Sequence, residues 1–126
     1  MLHHYTFNTY NGIPLLEEQE IRDFLMKTFQ DIANSKGFKI LEMEILSDHV
    51  HMLIDQPYTL SMPSVMKYIK GTSARSLFHK YPTNRFDIRK LWARSYNCRK
   101  LKSSQIETVT NYIRNQRGPD GIDKRY

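Results

Sequence analysis

Hydrophobic and polar residues alternate along several short segments of the chain, which is typical of strands whose side chains point to opposite faces in turn. The predicted strands cover residues 3–10, 38–46, 49–55 and 91–98. Within the second of them, Leu41, Met43 and Ile45 are expected on one face, with glutamates on the other. The short polar turn at residues 47–48 then predicts an antiparallel hairpin between the second and third strands.

Two longer segments have apolar residues three and four positions apart, which places them on one face of an α-helix. The first predicted helix covers residues 15–36 and stops at Gly37. The second begins at Ser61, a good N-terminal cap, has Pro63 in its first turn and ends before Pro82. Its predicted apolar face consists of Met62, Val65, Met66, Ile69 and Leu77.

A third helix is predicted from a capping box, in which Ser104 and Glu107 have the S-x-x-E spacing. It is expected to end at Gly118-Pro119, and residues 83–90 are expected to form a loop. The element order is then β-α-β-β-α-β with an additional C-terminal helix, the α+β arrangement called ferredoxin-like. We therefore predict one domain over residues 1–126, with an antiparallel sheet that has helices on one face, so that the second face could remain open for a nucleic acid or a partner chain.

The composition fits one ordinary soluble domain, because 126 residues with 40% hydrophobic content can form a core. Nineteen Lys and Arg against 13 Asp and Glu give a formal charge of +6, which favours an anionic partner such as nucleic acid; a basic protein without such a partner is the alternative. The single cysteine, Cys98, excludes an intrachain disulfide and a thiolate zinc site. Without an apolar stretch of roughly 20 residues or a signal sequence, a cytoplasmic location is expected.

Two histidines, His49 and His51, flank Val50 in the third predicted strand. Because the side-chain period of a strand is two, both imidazoles project from one face. Such a pair provides half of a divalent-metal site, although two ordinary surface or core histidines are the alternative. Candidate oxygen ligands to complete the site are Asp48, Asp55 and Gln116.

The third predicted helix contains Tyr112 and Gln116, which are four residues apart and therefore share a face. A phenol can act as a nucleophile, and a metal beside it can neutralise a phosphate under attack. Alone, each residue is more commonly a packing or surface residue of a helix. Tyr96 is the rival nucleophile, but it lies on a predicted strand and has no glutamine four residues on.

Four segments of the chain, in order, resemble the single-tyrosine HUH transposases of the insertion-sequence 200/605 type. HUH stands for His-hydrophobe-His, which residues 49–51 match within the similar stretch 38–54. Residues 70–75 resemble the family's K-G-x-S-x-R segment, residues 91–96 its L-W-x-x-S-Y segment, and residues 109–116 its V-x-x-Y-I-x-x-Q helix. The resemblance is colinear over essentially the whole chain.

The resemblance implies a role for each matching residue. Tyr112 would be the nucleophile that forms a 5′-phosphotyrosine and releases a 3′-hydroxyl, and His49, His51 and Gln116 would hold one Mg²⁺ or Mn²⁺. The substrate would be single-stranded DNA with hairpins near the ends of the element. The family also implies a homodimer with trans active sites, in which the tyrosine helix of one chain reaches the histidine pair of the other.

Positive charge is concentrated in the second half of the chain, part of which we interpret as a phosphate-contacting surface. The candidate DNA-binding residues are Lys67, Lys70, Arg75 and Arg94, with further basic residues at Lys80, Arg85, Arg89, Lys90, Arg99, Lys100 and Lys102. The aromatic residues Tyr68, Phe78 and Trp92 would either stack on bases or pack in the core.

The sequence leaves two other functions open. One is a rolling-circle replication or relaxase-type HUH nickase, against which the small size and single tyrosine-glutamine helix argue. The other is a ferredoxin-like module that binds nucleic acid without catalysis and has no need of the histidine pair.

Overall fold

A four-stranded antiparallel sheet with the strand order β2-β3-β1-β4 forms the centre of the computed structural model, which describes residues 1–82 and 90–116. The strands are β1 (Leu2–Asn8), β2 (Lys39–Ile45), β3 (His49–Asp55) and β4 (Asn97–Leu101). The helices are α1 (Gln19–Lys36), α2 (Met62–Lys80) and α3 (Ile106–Arg114). This is the predicted ferredoxin-like order with one additional helix, and it makes β1 and β3 the central strands.

The main core lies on the sheet face that α1 and α2 cover. Alternate residues of the central strands point into it, among them Tyr5 and Phe7 of β1 and Val50 of β3, all nearly inaccessible to solvent. The ring of Phe7 packs edge-on against Phe29 of α1. Burial of these large side chains provides the main favourable free energy of the fold.

The third helix lies on the opposite face of the sheet, where Ile113 of α3 packs on Leu53 of β3 and Leu101 of β4. The sequence indicated that one sheet face could remain open, and α3, which the sequence did not place, covers part of that face. The sequence predicted this helix from its capping box and gave no indication of the side of the sheet that it covers. This small second cluster holds α3 against the sheet, where the helix contacts β2 and β3.

A bulge in β2 changes which residues face the core. The register with β3 shifts between Ile40 and Glu42, so the intervening Leu41 has no partner residue and is 43% exposed. The predicted inward position of Leu41 is wrong, while Met43 and Ile45 do pack on the core together with Ile40. An extra residue in one strand reverses the alternation on one side of it, which explains the difference.

The fourth strand lies later in the chain than predicted, at Asn97–Leu101 instead of residues 91–98. Leu91 and Trp92 are apolar because they fill the core outside a regular strand; Trp92 makes only an isolated bridge to Thr9. The strand itself pairs with β1 alone, so it is an edge strand of the sheet. Edge strands tolerate charged residues, which explains the basic composition of β4.

Two helix termini follow the predicted chemistry. Gly37 ends α1 in the left-handed conformation with φ of 81°, which glycine adopts more easily than residues with a Cβ atom. The Ser61 hydroxyl accepts a hydrogen bond of 3.2 Å from the amide of Ser64 and caps α2. However, α1 begins at residue 19, not 15, because the amide of Leu16 donates to the carbonyl of Ser47 in the hairpin turn.

The start of α3 differs from the predicted capping box. A 3-10 turn over Ser103–Gln105 precedes the helix, and the Gln105 side chain accepts a hydrogen bond of 2.8 Å from the amide of Lys102. Ser104 and Glu107 do not cap the helix. The predicted helix end at Gly118-Pro119 and the predicted loop up to residue 89 lie outside the described residues. Over the part that the structure describes, no helix has the length and apolarity to cross a membrane.

Candidate metal and nucleophile site

The two histidines of β3 lie side by side on the face that α3 covers. The exposed fraction is 4% for His49 and 2% for His51, and their ring centroids are 5.1 Å apart. Val50 between them points into the main core and is fully buried. The strand alternation thus fixes both imidazoles on one face, as the sequence predicted.

A carboxylate orients His49. Its Nδ1 lies 2.8 Å from Oδ1 of the adjacent Asp48. An ionised carboxylate only accepts hydrogen bonds, so the imidazole of His49 donates from Nδ1. In the neutral ring, Nε2 then carries the lone pair that a metal requires. Asp48 therefore acts on the imidazole in this structure, although the sequence suggested it as a direct ligand.

His51 has two polar neighbours on β1. Its Nδ1 lies 3.1 Å from Nε2 of His4 and 3.2 Å from Oγ1 of Thr6. Burial, with smaller contributions from the charges of His4 and His49, lowers the pKa of His51 to about 3. His51 is therefore neutral near pH 7, the protonation state in which an imidazole binds a metal.

His4 is a member of the site that the sequence reasoning missed. Its ring stacks on His51 with centroids 5.3 Å apart, and burial followed by the charge of Arg99 lowers its pKa. The signal was present in the alternation of β1. Because the aromatic residues Tyr5 and Phe7 point into the core, His4 must point to the opposite face, and pairing of β1 with β3 then brings it near His51.

Tyr112 of α3 lies over the same histidines in the same chain. Its ring centroid is 5.8 Å from that of His51 and 5.9 Å from that of His4, with both contacts edge-on. Tyr96, the rival nucleophile, instead packs against the core residue Tyr5 with centroids 6.3 Å apart. The structure therefore brings one candidate nucleophile to the histidine pair and places the other on the far face of the sheet.

Gln116 lies two residues beyond the end of α3, although the sequence placed it well inside the helix. It is 3% exposed, and its Nε2 donates a hydrogen bond of 3.1 Å to the backbone carbonyl of Tyr112. Its Oε1 is buried and has no hydrogen-bond partner among residues 1–82 and 90–116. A buried amide oxygen without a donor is costly, and a cation is one group that satisfies it.

The donor set of the site suits a divalent cation that binds nitrogen and oxygen. His49 and His51 supply imidazole nitrogens, and Gln116 supplies the unsatisfied oxygen. Within the described residues, no group of three or more His, Cys, Asp or Glu side chains is arranged to hold a metal. A metal at this site therefore needs the amide or the substrate as a further ligand. Asp55 does not contribute, because it pairs with the N-terminal ammonium at the other end of β3.

A cleft of about 550 Å³ opens between β4 and α3, beside the histidines. It is lined by His4, Thr6, Asn97, Cys98, Arg99, Thr108, Val109 and Tyr112. Arg99 supplies positive charge to it, and Tyr112 forms part of its wall. The β4–α3 cleft is therefore a route by which an anionic chain can reach the tyrosine.

Lys70, predicted to contact DNA, is engaged within the protein. Its Nζ donates to the backbone carbonyls of Ala93 at 2.6 Å, Arg94 at 3.2 Å and Ser95 at 3.3 Å. Burial lowers its pKa. Ser73, one turn further along α2, accepts a hydrogen bond of 2.9 Å from Nε1 of Trp92. The segments 70–75 and 91–96, each part of the family resemblance, thus hold each other in place.

The other predicted DNA-binding residues are not brought to the histidines. Lys67 and Arg75 are exposed on α2, which covers the opposite face of the sheet, and Arg94 is exposed in the segment that Lys70 holds. Contact of these residues with DNA stays a prediction. Trp92, a candidate for stacking on bases, is 7% exposed and packs edge-on against Phe7, so it is a core residue.

Comparison with known proteins supports the resemblance seen in the sequence. Residues 1–116 match the model of the family described as "Transposase IS200 like". The chain is 31% identical over 99 residues to the ISDra2 transposase TnpA of Deinococcus radiodurans, a match that covers 77% of this chain and 71% of the relative. It is 32% identical over 92 residues to the transposase for insertion sequence element IS200 of Salmonella typhimurium, covering 71% of this chain and 60% of the relative.

Two solved structures are similar in fold. One is a Deinococcus radiodurans R1 protein assigned as a transposase, with a TM-score of 0.74, 27% identity, and coverage of 92% of this chain and 90% of that one. The other is a REP-associated tyrosine transposase bound to a REP hairpin, with a TM-score of 0.65, 16% identity, and coverage of 89% of this chain and 63% of that one. Because the family model matches residues 1–116 and a relative exceeds 30% identity, the chain belongs to the IS200-like transposase family.

Proposed function

We propose that this transposase cleaves and rejoins single-stranded DNA at the ends of an insertion sequence through a 5′-phosphotyrosine on Tyr112. The observation that carries the proposal is the 5.8 Å separation between the rings of Tyr112 and His51. A non-catalytic binding module has no need to place a phenol over a buried histidine pair. The proposed location of this activity is the cytoplasm.

The reaction is a transesterification in which bonds are exchanged, so no external energy source is required. The Tyr112 oxygen attacks the scissile phosphorus and loses its proton. The bond from phosphorus to the 3′ oxygen breaks, and that oxygen takes up a proton and leaves as a 3′-hydroxyl. Later a 3′-hydroxyl attacks the phosphotyrosine, restores a phosphodiester and returns the phenol to Tyr112.

The residues present fit Mg²⁺ or Mn²⁺, with His49, His51 and Gln116 as the candidate ligands. When bound, such an ion neutralises charge on the oxygens of the scissile phosphate and helps to orient it. The chain's own contribution is positioning, because β3 and α3 hold the imidazoles and the phenol on one face. Arg99 in the β4–α3 cleft is suited to attract the DNA backbone.

The test of the nucleophile is a covalent adduct stable to denaturant, formed on single-stranded DNA that carries a hairpin, in the presence of Mg²⁺. Tyr112→Phe removes only the hydroxyl and is expected to form no adduct while retaining DNA binding. Tyr96→Phe is the matched control and is expected to form the adduct normally. The reverse result, with adduct from Tyr112→Phe and none from Tyr96→Phe, would show that the assignment is wrong.

The test of the metal uses the same assay with a chelator. His49→Ala and His51→Ala are expected to abolish cleavage, and Gln116→Ala to weaken it less, because a neutral amide is the weaker ligand. Chelation of the wild type should have the effect of the histidine variants. Undiminished cleavage in the presence of chelator would remove the metal from the mechanism.

We also propose a C2 homodimer in which α3 of each chain serves the histidine pair of the other. In the single chain, Tyr112 lies over His51 of the same chain. The trans arrangement therefore requires that the two chains exchange α3, so that each helix makes the same contacts with the sheet of the other chain. The connection at residues 102–105 is exposed and is the segment that would redirect the helix.

A mixed dimer tests the exchange. A Tyr112→Phe chain and a chain carrying His49→Ala and His51→Ala are each inactive as homodimers. Paired through distinct tags, they regain one complete site if α3 acts in trans and none if it acts in cis. Absence of adduct from the purified mixed dimer would therefore exclude the trans arrangement.

A further inference from the structure

His51 contacts two side chains of β1 that the proposed reaction does not use. Its Nδ1 lies 3.1 Å from His4 Nε2 and 3.2 Å from Thr6 Oγ1, and the His4 ring stacks on it with an angle of 26° between the ring planes. Thr6 lies directly opposite His51 in the register of β1 and β3. These contacts join the two central strands of the sheet at the site.

An imidazole that binds a metal through one ring nitrogen carries its proton on the other. That N–H needs an acceptor, which selects the tautomer and fixes the orientation of the ring. His49 has such an acceptor in the Asp48 carboxylate at 2.8 Å. Beside Nδ1 of His51, a second imidazole, that of His4, and the hydroxyl of Thr6 lie within hydrogen-bond distance.

We propose that His4 and Thr6 are positioning residues, which accept the Nδ1 proton of His51 and so leave its Nε2 as the metal-binding atom. The inference rests on the metal site proposed above. His4 itself is not a ligand in this arrangement, because its Nε2 lone pair is directed at His51 and its own proton is on Nδ1. Thr6 accepts through a lone pair of its hydroxyl oxygen, and the hydroxyl proton of Thr6 can point away from His51.

His4 also touches the nucleophile. Its ring meets that of Tyr112 edge-on at 5.9 Å, and both side chains line the β4–α3 cleft. A single residue of β1 therefore contacts the candidate metal ligand on one side and the candidate nucleophile on the other. The role assigned to it is orientation of His51 and not proton transfer with substrate.

The first measurement is the tautomer of His51 in the metal-free protein, read from its ¹⁵N chemical shifts by NMR in the presence of chelator. We expect the proton on Nδ1 in the wild type. In the double variant His4→Phe, Thr6→Val, which keeps the approximate shape of both side chains but removes both acceptors, we expect the proton to move to Nε2. His4→Gln, which places an amide near the position of Nε2, should restore the wild-type tautomer when Thr6 is retained.

The second measurement is Mn²⁺ affinity by calorimetry, without DNA. The double variant should bind Mn²⁺ about 10- to 100-fold more weakly, the usual effect of removing the acceptor behind a metal-bound histidine. His3→Phe is the matched control. His3 is the adjacent histidine of β1 but lies on the opposite face, next to Tyr5, and its replacement should leave both the tautomer and the affinity unchanged.

The inference is overturned if the His51 proton stays on Nδ1 in the double variant, or if Mn²⁺ binds that variant as tightly as the wild type. It is also overturned if Mn²⁺ affinity falls while the tautomer does not change, because His4 would then act as a ligand. A wild type that binds no Mn²⁺ would contradict the proposed metal site alone, since the tautomer is measured in its absence. Circular dichroism and the His4→Gln single variant separate these outcomes from loss of folding.

Discussion

The buried imidazole of His51 makes the stability of the metal-free protein sensitive to acid. Its pKa is about 3 in the folded state, against 6.5 for the free side chain, and burial is the main cause. Between these two values the unfolded chain binds a proton that the folded chain does not. Stability contributed by neutral His51 is therefore complete above about pH 6.5 and is lost as the pH falls towards about pH 3.

The magnitude follows from proton linkage. Lowering the pH from about 8 to about 5 should cost about 2 kcal/mol through His51, because almost all unfolded molecules and almost no folded molecules are protonated at the lower pH. The result depends on the ordinary pKa of the unfolded side chain and is insensitive to the folded value, provided that it stays well below 5. A loss of this size is a substantial part of the stability of a small domain.

The assay is urea unfolding followed by circular dichroism at several pH values in the presence of chelator. His51→Asn removes the titrating group. Between about pH 8 and pH 5, the stability of the variant should therefore fall by about 2 kcal/mol less than that of the wild type. Every other histidine is present in both proteins, so the difference between the two profiles reports the effect of replacing His51. Parallel pH profiles for the two proteins would show that His51 is not buried in the neutral form.

Three further changes test the contacts around the site. Trp92→Phe removes the hydrogen bond to Ser73 and part of a buried ring, and should cost about 1–3 kcal/mol in urea unfolding, with adduct formation per folded molecule unchanged. Lys70→Met should destabilise the protein by about 1–3 kcal/mol without changing the salt dependence of DNA binding. If Lys70 instead contacts a phosphate, the slope of the logarithm of the DNA association constant against the logarithm of the salt concentration should decrease by about one. Arg99→Gln in the β4–α3 cleft is expected to give that decrease, measured by fluorescence anisotropy of labelled single-stranded DNA.

The features predicted well from the sequence depend on local spacing. The hairpin and its two histidines follow from alternation over a few residues, and Gly37 and Ser61 act through the backbone next to them. The candidate nucleophile Tyr112, whose role stays a prediction, was selected by its spacing to Gln116 and by the resemblance to a family. The structure adds that its ring lies over His51, a relation between residues 61 positions apart that no local pattern contains.

The features predicted wrongly depend on contacts between distant segments. The apolar pair Leu91-Trp92 suggested a strand, but it is buried because Phe7 and Ser73 surround it. His4 was missed because its role arises only when β1 pairs with β3. Leu41 was placed inward because a one-residue bulge leaves no mark in an alternating sequence.

The pairing of β1 with β3 has a consequence for folding. Tyr5 and Phe7 point into the core, while His4 and Thr6 point to the histidine pair, so the two sets are interleaved along one strand. A slip of one residue would expose the aromatic rings and bury the polar side chains, which the hydrophobic effect strongly disfavours. The free energy that selects the correct register thus also assembles the candidate site. Substitutions in the core of this protein should reduce the number of folded molecules without producing folded molecules that carry a misassembled site.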